Sequence, residues 1–194
     1  YIPAKQPSDK THLVFLHPTR HYHWEKGNDR VIAAFAEYVK QNPTAELRMC
    51  GWGGEDLSMS KMMVYRYNLS RNVTWLPLID KTRLIQEYQN ADAVFDQFIY
   101  AAAGTTTPEA MSCGKPVVSK MSIPLWEQHH DGKHPPIFSA EEPEEIYQAM
   151  LFFENEEARK DWGERGRDWV QTEQDCSVVA RKEVEIFKQV IELG

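Results

Sequence analysis

Residues 91–119 read Ala-Asp-Ala-Val-Phe-Asp-Gln-Phe-Ile-Tyr-Ala-Ala-Ala-Gly-Thr-Thr-Thr-Pro-Glu-Ala-Met-Ser-Cys-Gly-Lys-Pro-Val-Val-Ser, and this stretch decides the fold. The apolar run Ala91–Phe98 has the pattern of a buried strand, Gly104 marks a turn, and a helix is expected over Thr107–Cys113. Thr107 is the expected N-cap, with Pro108 at the first helical position, where a fixed φ is useful and a missing N–H costs nothing. Gly114 turns the chain into a second apolar strand at Pro116–Ser119. Strand, glycine turn, helix and strand in succession point to a parallel sheet covered by helices.

The same alternation continues on both sides of this unit. Strands are expected at Leu13–Leu16, Glu46–Cys50, Val73–Leu76 and Ala93–Phe98, with one more short strand at Pro135–Phe138. Helices are expected at Val31–Val39, near Leu57–Leu69 and at Lys81–Ala91, and from Glu141 onward the pattern is helical and charged. In the first of these, Val31, Ile32, Phe35, Ala36 and Val39 recur at helical spacing before Pro43 ends the segment. The fold class that follows is α/β, a Rossmann-like parallel sheet with helices on both faces. Ligands of such sheets bind beyond the carboxyl ends of the strands, where the strand order reverses, so the loops after the strands hold the candidate chemistry.

A chain of 194 residues with 42% apolar residues suits one domain, taken here as 11–194 with charged C-terminal helices. Residues 1–10 are polar, carry Pro3 and Pro7, and read as the remnant of a linker. The net charge of −7, with Lys and Arg interspersed among acids, argues against a nucleic-acid partner. Cys50, Cys113 and Cys176 are odd in number and show no Cys-x-x-Cys spacing, which fits a reducing, cytoplasmic setting without structural zinc. His17, His21 and His23 crowd one loop and His129, His130 and His134 another, yet neither group has metal-ligand spacing, so no metal is expected. No apolar run approaches the roughly 20 residues that span a bilayer.

Several loop residues carry chemistry. Arg20 and Lys26 lie six residues apart after the first strand, and a planar fork and a point charge can close on a diphosphate from two sides. Glu109 falls in the first turn of its helix, where a carboxylate suits the dipole and can also accept from two ribose hydroxyls. Gly104, Thr105 and Thr106 form a turn whose N–H and hydroxyl groups suit phosphate. Asp96 and Gln97 end a buried strand and either contact a ligand or cap a loop. Gly51-Trp52-Gly53-Gly54 reads as a tight turn, and Trp24, Trp52, Trp75 and Trp126 as packing residues.

Taken in order, Arg20, Lys26-Gly27, the glycine-rich turn, Asn72-Val73, Gly104 and Glu109-Ala-Met-Ser-Cys-Gly-Lys-Pro-Val-Val resemble the C-terminal, donor-binding domain of retaining family-four glycosyltransferases, the group 1 glycosyl transferases. The resemblance covers about residues 12–150 and implies one half of the two-domain GT-B fold. It implies that Arg20 and Lys26 grip the diphosphate of a nucleotide sugar, that Glu109 binds the ribose, that Leu78 and Ile79 lie near the base, and that Gly104, Thr105 and Thr106 lie near the phosphates. It also implies Asp96 and Gln97 as donor contacts, no cofactor beyond the NDP-sugar substrate, and a catalytic His and acceptor site on an absent N-terminal domain. Peripheral membrane association would then come through the full-length protein, and the isolated domain would be inactive. One position departs from the family pattern: Ala101 stands where a Glu that contacts the transferred sugar is usual. A non-catalytic sugar-nucleotide module or partner subunit is the alternative. A sugar-nucleotide epimerase would need acid and base residues that have no place here, and a flavodoxin-like domain would leave Arg20, Lys26 and Glu109 unexplained together.

Overall fold

The structure, a computed structural model, describes residues 12–130 and 132–192, so the linker expected at 1–10 lies outside the described residues. Six strands, β1 (Val14–His17), β2 (Glu46–Cys50), β3 (Val73–Leu76), β4 (Ala93–Phe95), β5 (Val117–Ser119) and β6 (Ile137–Ser139), form one sheet in the order β3-β2-β1-β4-β5-β6. Every pairing is parallel. The chain winds outward from β1 to β3, returns across the sheet, and winds outward again from β4 to β6. The reversal lies between β1 and β4, where Phe15 pairs with Ala93, and this gap is where doubly wound folds take their ligands.

The helices are α1 (His23–Lys26), α2 (Asn28–Gln41), α3 (Leu57–Arg66), α4 (Lys81–Asn90), α5 (Thr106–Ser112), α6 (Ile123–His129), α7 (Pro143–Phe152), α8 (Glu156–Trp169) and α9 (Cys176–Glu192), with a π-helical segment at Val170–Gln174. Successive strand residues feed opposite cores, as the period of two demands. Phe15, Ala93, Phe95 and Val118 pack with Val31, Ile32 and Phe35 of α2 and Ile146 and Met150 of α7. Leu16, Val94 and Val117 pack on the other face with Tyr88 of α4 and Ala110 and Met111 of α5. Both faces are therefore covered, and β1, β4 and β5 are buried throughout, which is why they read as apolar runs.

The differences from the sequence expectations are local. The strand expected over Ala93–Phe98 runs only to Phe95; beyond it the Asp96 N–H still reaches the Val118 carbonyl at 3.0 Å, while the side chains of Asp96 and Gln97 bond into the following loop. The helix expected over Thr107–Cys113 starts at Thr106, and Thr105 before it already has helical angles, φ −65° and ψ −27°. Thr107 is thus not the N-cap: its hydroxyl donates to Asp96 instead, at 2.8 Å. The helix near Leu57–Leu69 ends at Arg66. Helices α1 and α6 were not expected; α1 is a single turn and α6 is seven residues of mixed polarity, both too short for periodicity to show.

Candidate functional site

The loop after β1 is built on a buried network of neutral groups. His17 Nδ1–H donates to the Phe95 carbonyl at 2.9 Å, which leaves Nε2 as an acceptor for Asn28 Nδ2 at 2.9 Å and for the Thr19 hydroxyl at 3.1 Å. Burial, partly offset by the Phe95 hydrogen bond, lowers the His17 pKa to about 3, so the ring is neutral at physiological pH. Asn28 also accepts from the Tyr22 N–H at 3.0 Å, so one side chain ties the start of α2 to both ends of the loop.

The glycine-rich turn after β2 locks the same loop from the side. His21 Nε2–H donates to the Cys50 carbonyl and Nδ1 accepts from Ser60, both at 2.8 Å, so the Ser60 oxygen is left to accept from His23 Nε2–H at 2.8 Å. The His21 N–H reaches the Gly53 carbonyl at 3.1 Å. Gly54 has φ +94°, and a Cβ there would lie 2.0 Å from the His21 carbonyl oxygen, so no other residue fits. Gly51-Trp52-Gly53-Gly54 is therefore the tight turn expected of it. Gly27 is the second such position: with φ +69° it closes α1 by donating to the His23 carbonyl at 3.0 Å, and a Cβ would meet that of Phe98 at 2.9 Å. This places Lys26 at the mouth of the gap between β1 and β4.

Lys26 Nζ donates to Gln97 Oε1 at 2.8 Å and pairs with Glu25 at 3.0 Å, while Gln97 Nε2 donates to the Ala102 carbonyl. Gln97 thus bridges the β1 loop to the loop that precedes α5. Asp96 is buried and accepts from the Gly104 N–H at 3.1 Å and from Thr107, and its burial pushes the carboxyl pKa up against these donors. Of the two roles open to Asp96, the geometry gives it the pinning of this turn. Arg20 is exposed at the same edge, its guanidinium 5.7 Å from the centre of the Tyr22 ring, and among the described residues no carboxylate pairs with it.

Glu109 is held from α4. Lys81, the first residue of that helix, pairs with one of its oxygens, and the Tyr88 hydroxyl donates to the other at 3.1 Å. The Lys81 contact also brings the β3–α4 loop, with Leu78 74% exposed and Ile79 half-buried, beside Glu109. Neither Tyr88 nor Lys81 is singled out by the sequence, since nothing local to either indicates Glu109 as a partner. Among the described residues no three His, Cys, Asp or Glu side chains gather as a metal site, and Cys50, Cys113 and Cys176 are all free thiols. Trp75 is half-buried as expected, whereas Trp24 is 61% exposed on α1 and is not a packing residue.

A model of the glycosyl transferases group 1 family matches residues 2–169. The chain belongs to the group 1 glycosyl transferases. An uncharacterized glycosyltransferase of Methanocaldococcus jannaschii is 24% identical over 186 residues, covering 94% of this chain and 46% of that protein. Sucrose-phosphate synthase of Thermosynechococcus elongatus superposes with a TM-score of 0.75 at 21% identity, over 97% of this chain and 47% of the synthase. Anabaena HepE in complex with UDP-glucose superposes at 0.74 with 20% identity, over 92% of this chain and 49% of HepE. The chain thus spans about half the length of these relatives, and its Rossmann-like sheet is the size of one half of a GT-B glycosyltransferase. Among the described residues no helix is long and apolar enough to cross a membrane.

Proposed function

We propose that this chain is the donor-binding half of a retaining glycosyltransferase that passes a hexose from an NDP-sugar to a glycan or lipid-linked acceptor. The observation that carries this reading is the placement of Arg20 and Lys26 beside the β1/β4 reversal, with Gln97 tying their loop to the turn that leads to Glu109. The diphosphate takes the two cations, and Glu109 takes the ribose. The base lies along Leu78 and Ile79, and the turn Gly104-Thr105-Thr106 faces the phosphates. The UDP-glucose complex of HepE favours a UDP-sugar as the donor to test first.

Departure of the sugar leaves negative charge on the β-phosphate. Cations already placed where that charge develops stabilise it with little reorganisation, usually the largest contribution a protein makes to such a step. Retention by internal return asks for little base chemistry from this half, and the catalytic His and acceptor site fall to the other half of the longer protein. The isolated chain then binds donor without transferring it. Polysaccharide biosynthesis in the cytoplasm, with peripheral membrane contact through the whole protein, and no cofactor beyond the donor, complete this reading. Ala101 favours a second one, a sugar-nucleotide-binding module or partner subunit, since its methyl group brings no polar atom to the sugar.

Calorimetric titration with UDP, GDP and ADP tests the donor role. We expect one nucleotide to bind selectively, and Arg20→Ala to weaken it about tenfold to a hundredfold, the worth of one charge-assisted hydrogen bond, with the melting temperature nearly unchanged. Equal loss of binding and of thermal stability would remove Arg20 from the site. Adding the missing half then separates the two readings: transfer supports the enzyme, and binding without transfer supports the module.

A further inference from the structure

Glu109 lies in the first turn of α5, and its side chain is 23% exposed. Its two carboxylate oxygens have different partners, both from α4. Oε1 pairs with Lys81, whose side chain is 53% exposed. Oε2 accepts from the Tyr88 hydroxyl at 3.1 Å. Lys81 and Tyr88 are two helical turns apart and so lie on one face of α4. They differ in how firmly they are held. Tyr88 is 1% exposed and packs among Leu16, Val94 and Ala110. Burial first, and then the charge of Glu109, push its phenol far above the ordinary range, so it donates at any physiological pH.

We propose that Tyr88 is the positioning residue of Glu109, fixing its carboxylate for the ribose hydroxyls of the nucleotide, and that Lys81 is the exchangeable partner those hydroxyls replace on Oε1. The inference rests on the ribose role given to Glu109 above. An exposed ion pair is worth about 0–1 kcal/mol, so giving up Lys81 costs the complex little. Immobilising a free Glu side chain on binding costs about 0.5–1.5 kcal/mol, and a packed Tyr that already holds one oxygen removes much of that cost. Oε1 keeps both lone pairs for the ligand once Lys81 leaves, and Oε2 keeps one.

A loss of packing alone would weaken ribonucleotides and deoxyribonucleotides alike, so the ratio between them isolates the positioning role. The test is calorimetry of the chain, and of its Glu109→Gln and Tyr88→Phe variants, with UDP, GDP and ADP, each beside its 2′-deoxy counterpart. We expect the unaltered chain to favour the ribonucleotide about tenfold or more, the worth of a hydrogen bond to a charged group. Glu109→Gln should abolish most of that preference, and Tyr88→Phe should reduce it about threefold to tenfold, the range of a single hydrogen bond. A preference lost in Glu109→Gln but unchanged in Tyr88→Phe would overturn the role of Tyr88 and leave that of Glu109 standing. A chain that binds none of the nucleotides, or that keeps its preference in Glu109→Gln, would overturn the ribose reading and the inference with it.

Discussion

The two sides of the site are held by different physics. On the β1 side, His17, Asn28, Thr19, His21 and Ser60 form hydrogen bonds between neutral, buried groups, and glycine positions that admit no side chain fix the backbone. On the α5 side, Glu109 is ionically paired to an exposed lysine and anchored by one buried tyrosine. Buried neutral networks are rigid and nearly blind to salt, whereas exposed ion pairs are weak and screened. On the proposed reading, the β1 side is a fixed cradle for the cations, and the α5 side exchanges partners when the nucleotide arrives.

The largest expected effect breaks the cradle. Gly54→Val sets a side chain against the His21 carbonyl and should cost at least about 3 kcal/mol of unfolding free energy in urea titration, in the range that marks a backbone conflict. A cost below about 1 kcal/mol would mean that the turn adapts, and that the rigidity claimed for this side is wrong.

Acid sharpens the comparison. The folded pKa of His17 lies at about 3, below the unfolded value of 6.5, so between those pH values the unfolded chain binds a proton that the folded chain refuses. Stability is thus full above the unfolded pKa and falls as pH drops through this window, by about 2 kcal/mol between pH 6.5 and 5 at 1.4 kcal/mol per unit. His21 is shifted in the same direction, also chiefly by burial. Denaturation of the chain and of His17→Gln at both pH values checks this, and a variant with the same acid loss as the parent would show that His17 is not its source.

The smallest expected effect belongs to the α5 side. Lys81→Met should change stability by less than about 0.5 kcal/mol, as exposed ion pairs do, and should make nucleotide affinity no weaker, since it removes a competitor for Oε1. Calorimetry of this variant with the selected nucleotide reads both points against the parent. Weaker binding would mean that Lys81 touches the ligand itself.

Much of this was legible in the sequence for a physical reason. Strands buried on both faces read as apolar runs, so Leu13–Leu16 and Pro116–Ser119 were placed to within a residue of β1 and β5. The loops that follow them were legible as well, because Gly27, Gly54 and Gly104 punctuate the chain where it turns. Hidden were the partners that join distant segments. Nothing local to Tyr88 indicates a carboxylate 21 residues on, and nothing local to Asp96 indicates that Gly104 and Thr107 will claim it. His17 looked like part of a histidine cluster, and only its burial beneath Asn28 shows it as a neutral support. The short helices α1 and α6 were missed because neither is long enough to repeat its pattern.

The central claim is that the donor site lies at the β1/β4 reversal, and mapping amide chemical shifts of the isotope-labelled chain during titration with UDP, then GDP and ADP, tests it most directly. The account predicts that the nucleotide which binds moves the amides of Arg20 to Asn28, Leu78 to Lys81 and Gln97 to Glu109 together at one affinity, and leaves those of α9 in place. Shifts confined to α9 or to the amino ends of the strands would contradict it, as would binding that leaves the amides of Lys26, Gly104 and Glu109 unmoved.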